Sequence, residues 1–64
     1  MKVYNLCSVY NDEPVKIYDK CTEHAIFKGS SNDIPKRLMN RFVHNLTIAL
    51  SPEGYGYYHL IVID

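Results

Sequence analysis

The sequence predicts one small α+β domain over residues 1–64, with a four-stranded antiparallel sheet and two short helices in the order α-β-β-α-β-β. Two pairs of apolar runs alternate with a period of two and are separated by turn-forming residues, as in hairpins. Apolar residues at helical spacing precede each pair. The chain has 64 residues, 47% of them apolar, which is enough for one core but leaves no room for a second.

Residues 3–10 allow two interpretations. Their β-branched and aromatic content suits a strand. Their apolar side chains also follow the i, i+3, i+4, i+7 spacing of one helical face, at Val3, Leu6, Cys7 and Tyr10. We prefer a helix of about two turns that ends before Pro14, because proline cannot continue a helix and disfavours helical geometry at the residue before it.

Residues 15–19 and 25–29 form the first predicted hairpin. Val15 and Ile17 alternate with Lys16 and Tyr18, as in a strand with one buried face. Residues 20–24 are the predicted loop.

The segment 26–43, IFKGSSNDIPKRLMNRFV, joins the hairpins. Asn32 or Asp33 can cap a helix start, and Pro35 is tolerated in a first helical turn. Ile34 and Leu38 are four residues apart and predict one apolar face. We therefore expect a helix over Ile34–Met39 that depends on packing against the sheet, because it is too short to persist alone.

The second predicted hairpin joins residues 41–51 to residues 57–64 through a turn at residues 52–56. The last strand is apolar on both faces, with Tyr58, Leu60 and Val62 on one and Tyr57, His59, Ile61 and Ile63 on the other. Strands buried on both faces lie inside sheets, so we expect this strand to be central.

Charge and composition exclude several classes of function. Seven Lys and Arg balance seven Asp and Glu, which disfavours binding to DNA or RNA over the whole surface. No apolar run approaches the roughly 20 residues of a membrane helix, and no secretory signal is visible. We expect a soluble, intracellular protein without membrane contact, with its two cysteines as free thiols and not a disulfide.

No catalytic residue, metal ligand or cofactor is predicted. The histidines and cysteines lack the spacing of zinc sites, except that Cys21 and His24 could supply half of one. The single glycine in KGSSNDIPK does not make a phosphate loop. Nucleophilic catalysis by the Cys7 thiol, with His44 or His59 as its base, stays open. However, so small a chain offers little scaffold for a closed, water-excluding ligand pocket of about 300 Å³ or more.

Two sets of residues are candidates for binding. Tyrosine is favoured at protein interfaces, and the sequence has six tyrosines; we predict partner contacts at Tyr18, Tyr55, Tyr57 and Tyr58. A second protein is the expected partner, and a homodimer would cover exposed apolar area. The alternative is a nucleic-acid contact through the basic cluster of Lys36, Arg37 and Arg41.

The pattern VKIYD, AIFKGSSNDIPKRLMNRFV and EGYGYYHLIVID covers about three quarters of the chain. It resembles small uncharacterised proteins of phages and integrative elements of Firmicutes, most specifically at Asp33-Ile34-Pro35, Leu38, Arg41 and Val43. We expect a non-enzymatic protein-binding module that could inhibit a host defence protein. The resemblance implies an accessory mobile-element protein in a bacterial cytoplasm, and some proteins of that size and origin block host defence systems. It carries no catalytic residues. The acidic surface of DNA-mimicking inhibitors is absent, so such an inhibitor would act by covering a surface.

Overall fold

A computed structural model describes residues 1–51 and 56–64. The elements are α1 (Val3–Cys7), β1 (Pro14–Asp19), β2 (His24–Ser30), two 3₁₀ turns (Ser31–Asp33 and Lys36–Leu38), β3 (Val43–Leu50) and β4 (Tyr57–Ile63). The predicted α+β class with four strands and a short N-terminal helix is confirmed. The helix is shorter than predicted.

The sheet is mixed, so the prediction of a fully antiparallel sheet is wrong. The strand order is β2-β1-β4-β3. Both predicted hairpins are antiparallel pairs, but β1 and β4 run parallel at the centre, with Val15 opposite His59 and Asp19 opposite Ile63. The alternation of apolar residues identifies strands and hairpins, but it does not determine which strands of two hairpins meet.

The predicted helix Ile34–Met39 is also wrong, because two 3₁₀ turns stand in its place. Ile34 is extended, at φ −61° and ψ 128°, and Pro35 that follows is extended as well, at ψ 143°. Contact between a proline ring and the preceding residue disfavours helical geometry at that residue. The chain therefore turns twice around Pro35 and does not form one continuous helix.

The connection 31–42 crosses the sheet from one end to the other. Strand β2 ends at Ser30 opposite Pro14, whereas β3 begins at Val43 opposite Ile63. Because β1 and β4 are parallel, these two points lie at opposite ends of the sheet. The two 3₁₀ turns advance about 2.0 Å per residue, against about 1.5 Å for an α-helix, and the extended Ile34 and Pro35 between them add more. This path therefore suits the crossing better than one continuous α-helix.

The core lies on one face of the sheet, beneath α1 and the crossing connection. Its buried residues are Val3, Leu6, Val15, Ile17, Ile34, Leu38, Ile61 and Ile63. Strands β1 and β4 supply every second residue to this face, as the pleat requires. All of the non-strand elements described contribute to this side, so residues 1–51 and 56–64 place no covering layer on the opposite side of the sheet.

Candidate functional site

The structure separates the predicted tyrosines. Tyr18 and Tyr58 lie on the uncovered side of the sheet, because each alternates with buried residues of the core side. Tyr57 lies on the core side and its hydroxyl reaches Glu13. Tyr55 lies outside the described residues. The four positions therefore do not form one surface, and among the three that are described only Tyr18 and Tyr58 share a face.

We call the uncovered side of β1 and β4 the outer face. Its residues are Lys16, Tyr18, Tyr58, Leu60 and Val62. All five are only half-buried, although they lie on the two central strands. Large apolar and aromatic side chains on central strands are normally covered by a second layer, so this face is the best candidate for contact with another molecule.

Two lysines border the outer face. Lys16 of β1 lies directly opposite Lys28 of β2, and like charges in that arrangement repel. The Lys16 ammonium lies over the Tyr58 ring, 5.9 Å from its centroid. Within residues 1–51 and 56–64 neither lysine has a carboxylate oxygen within ion-pair distance. The pair is therefore a source of positive charge beside an aromatic and aliphatic surface.

On the core side, a polar group of Tyr10, Glu13, Tyr57 and His59 joins the start of β1 to the start of β4; we call it the Glu13 cluster. A Glu13 Oε1 oxygen accepts hydrogen bonds from the Tyr57 hydroxyl at 3.1 Å and from His59 Nε2 at 3.2 Å. The His59 ring stacks on Tyr10, with ring centroids 3.9 Å apart. Tyr57 meets the same ring edge-on.

The hydrogen bonds define the protonation of the Glu13 cluster. The hydrogen bond from His59 lowers the pKa of Glu13 most, and the bond from Tyr57 lowers it further. The carboxylate is therefore ionised at neutral pH and can only accept hydrogen bonds. In return the bond to Glu13 and its charge raise the pKa of Tyr57. His59 Nε2 must then carry a hydrogen to donate to Glu13. Its Nδ1 is buried and has no hydrogen-bond partner in the described chain.

A half-enclosed cleft of about 450 Å³ lies where β1, β2 and β4 meet at one end of the sheet. Because this cleft is half-open to solvent, it is not the closed, water-excluding pocket that the sequence disfavours. Glu13 and Tyr57 contribute to its wall on one side, and Lys16, Lys28 and Tyr58 on the other. Neither nitrogen of His59 is free to act there as a base, since Nε2 is bonded to Glu13 and Nδ1 is buried.

The predicted basic cluster is divided. Arg41 bonds the Asp19 carboxylate at 3.3 Å and the carbonyl oxygen of Asp64. Burial opposes ionisation of Asp19, but hydrogen bonds from the Cys21 and Thr22 amides and from Arg41 outweigh it and lower its pKa. Lys36 and Arg37 remain exposed on the second 3₁₀ turn. Arg41 thus links β1, the crossing connection and the C-terminus.

The cysteines and histidines do not converge. Cys7 is half-buried with its Sγ 3.6 Å from Met39 Sδ, and Cys21 is an exposed free thiol. Among the residues described, no three His, Cys, Asp or Glu side chains are grouped to hold a metal ion. The Cys7 sulfur contacts the Ser31 carbonyl oxygen and Met39 Sδ, not His44 or His59, so the thiol–base pairing considered from the sequence is not formed.

Sequence reasoning missed the Glu13–His59 pair because its members are 46 positions apart and meet only through the parallel pairing of β1 with β4. The described chain contains no helix long and apolar enough to cross a bilayer. No family model, no curated protein and no solved structure matches this chain.

Proposed function

We propose that this protein is a non-enzymatic protein-binding module whose outer face docks on a partner that is apolar at its centre and acidic at its rim. The observation that carries the proposal is the missing layer over the outer face. Tyr18, Tyr58 and Leu60 lie on the two central strands with all described helical elements on the other side. Tyrosine brings large contact area and a polar tip at small entropic cost.

The lysines define the chemistry of the partner's rim. Lys16 and Lys28 face each other beside the outer face without a described carboxylate partner. Partner carboxylates placed here would relieve the repulsion between the two ammonium groups, and complementary charge speeds and orients association. The acids of the nearby cleft do not do this, because Glu13 binds His59 and Tyr57.

The biological setting is a further part of the proposal. The resemblance to mobile-element proteins supports an accessory role in a bacterial cell, in which the partner is a host protein, such as a defence protein inhibited by covering its surface. Nucleic-acid binding through Lys36, Arg37 and Arg41 stays the alternative. It is weakened because Arg41 is engaged by Asp19 and the C-terminal residue.

The test is capture from a bacterial lysate by immobilised wild-type protein and by two matched double variants. Tyr18→Thr with Leu60→Thr removes the large side chains of the outer face. Threonine is β-branched and therefore suits a strand at both positions. Lys36→Ala with Arg37→Ala alters the second 3₁₀ turn. We expect a protein that is retained by wild type and by the turn variant, retained at high salt, and lost by the outer-face variant.

Other outcomes overturn the proposal. If the turn variant loses the captured molecule and the outer-face variant keeps it, the binding surface is wrong. If the captured material is nucleic acid whose affinity falls steeply with salt, phosphate contacts carry the binding and the alternative function holds. Charge reversal at Lys16 (Lys16→Glu) should weaken capture of the protein partner at least tenfold, whereas Lys36→Glu should not.

A further inference from the structure

The two edges of the sheet differ in their protection against pairing with another strand. Edge strands expose unpaired backbone groups, and proteins protect them with charges, bulges and irregular backbone. Strand β2 has these features: Lys28 is exposed, Gly29 has a positive φ of 157°, and a bulge lies opposite Ile17 and Tyr18. Strand β3 has few of them.

From His44 to Leu50, the stretch that we call the β3 edge, the strand contains no Lys, Arg, Asp, Glu, Gly or Pro. Its pairing with β4 is regular from Asn45 to Leu50. The N-terminus covers only the beginning of the strand, where the Met1 carbonyl accepts from the Val43 amide at 2.8 Å. No other described strand pairs with the β3 edge.

The side chains of the β3 edge are apolar and exposed on the core side of the sheet. The exposed fraction is 65% for Ile48, 82% for Leu50 and 36% for Leu46. These residues pair with β4 opposite Ile61, His59 and Tyr57, so they extend the core face beyond the area that α1 and the crossing connection cover. An uncharged edge with an apolar row is a surface for strand addition.

We propose that the β3 edge binds the β3 edge of a second copy of this chain, in antiparallel orientation about a two-fold axis, to form a continuous eight-stranded sheet. The axis is perpendicular to the sheet and passes beside Thr47, the middle residue of the stretch. Leu46 of one copy then lies opposite Ile48 of the other, and the two-fold axis repeats this contact on the other side of Thr47. Directly opposed residues share a face in an antiparallel pair, so symmetry itself matches apolar side chains with apolar side chains.

The dimensions and charge favour a second copy over another partner. Seven residues span about 23 Å at ~3.3 Å each, most of the 31 Å longest extent of the molecule. The smallest stable interfaces take about 600 Å² from each partner, roughly a seventh of the 4320 Å² surface. Apart from His44, whose ring contacts Asp64 and Lys20, the β3 edge has no ionisable side chain that would select a charged partner. The apolar row of a second copy complements it. The outer face stays open, so this proposal is independent of the proposed function.

The test is to measure the mass in solution by light scattering and sedimentation, at protein concentrations from about 1 µM to 1 mM. At the highest concentrations we expect a mass of about twice the 7.4 kDa of one chain. Ile48→Lys introduces the charge that the β3 edge lacks, and Ala25→Lys does the same on the β2 edge. We expect Ile48→Lys to raise the dimer dissociation constant at least tenfold and Ala25→Lys to leave it unchanged. Circular dichroism checks that each variant is folded, and Leu50→Lys replaces Ile48→Lys if that variant is not.

Contacts between differently labelled copies add a direct measurement, since isotope-filtered NMR should show Leu46 methyl groups of one copy near Ile48 of the other. A single-chain mass at every concentration would overturn the proposal. So would a dimer that survives Ile48→Lys in a folded variant, or one that is lost on Ala25→Lys or on Tyr18→Thr with Leu60→Thr. A variant that loses partner capture but still dimerises would bear only on the proposed function of the outer face, and not on the dimer.

Discussion

The ring of Tyr10 stacks on His59 with 12° between the ring planes, and so connects the segment after α1 to a central strand. His59 is held on its other side by Glu13. The buried His59 imidazole, whose Nδ1 has no hydrogen-bond partner in the described chain, therefore packs the segment after α1 and the start of β1 against β4. We interpret the Glu13 cluster as structural, since neither imidazole nitrogen is available to another molecule.

Replacing Glu13 by glutamine should reduce the dependence of stability on acid pH. The pKa of Glu13 is lowered in the folded protein from its ordinary value of 4.5, so the native state stabilises the ionised form. This contribution is present above pH 4.5 and is lost as pH falls through the lowered folded value. We expect the difference in unfolding free energy between wild type and Glu13→Gln to shrink with falling pH, measured by urea unfolding between pH 7 and pH 2.5.

Glu23→Gln is the matched control for this experiment, because Glu23 is exposed and its side chain bonds no other residue of 1–51 or 56–64. An equal effect of both substitutions at every pH would contradict the assignment. The same Glu13→Gln variant should lower the pKa of the Tyr57 phenol toward its ordinary value, because the bond and charge of Glu13 raise it. Ultraviolet titration of tyrosinate measures that shift.

Two leucines test how the crossing connection is anchored. Leu38 is 4% exposed and packs in the core, whereas Leu50 at the β3 edge is 82% exposed. Leu38→Ala should destabilise by about 2–5 kcal/mol, since a buried leucine leaves a cavity, and Leu50→Ala by about 0.5 kcal/mol or less. Urea unfolding at low protein concentration, at which the chain is monomeric, compares them. Similar losses would mean that the connection does not cover the core as described.

The sequence could predict the strands and the hairpins but not how they are assembled. Periods of two residues over 15–19 and 57–64 are local signals, and both became strands with the predicted faces. The parallel contact of β1 with β4 is a long-range choice with no local signature. The predicted helix over Ile34–Met39 is wrong for a local reason, because Pro35 keeps Ile34 extended.

The candidate site follows the same division. The outer positions of Tyr18 and Tyr58 could be predicted from alternation alone. The opposition of Lys16 and Lys28 depends on the register of the first hairpin, which contains a bulge and a loop one residue shorter than predicted. The Glu13–His59 pair and the engagement of Arg41 by Asp19 depend on the parallel pairing and the crossing connection, so neither could be predicted from spacing.

The two thiols should react at very different rates. Burial raises the pKa of Cys7, and its sulfur packs against Met39, so both thiolate formation and access are reduced. Cys21 lies exposed in the turn after β1. We expect iodoacetamide at pH 7.5 to modify Cys21 first and Cys7 only in denaturant, as read by mass spectrometry of peptides. With Cys21→Ser, the native protein should stay unmodified over the same time; rapid labelling of Cys7 in that variant would contradict its packing.

Backbone conformation in the turn between β1 and β2 gives the last prediction. Glu23 has a positive φ of 60°, a left-handed conformation that costs a non-glycine residue about 1 kcal/mol. Glycine adopts it without that cost but loses more freedom on folding, so Glu23→Gly should stabilise by up to ~1 kcal/mol or be neutral. Thr22→Gly, at a neighbouring position without a positive φ, carries only the entropic cost and should destabilise by roughly 0.5–1 kcal/mol. Urea unfolding of both variants at one pH compares them, and a Glu23→Gly variant less stable than Thr22→Gly would show that the Glu23 side chain, and not strain, dominates at this position.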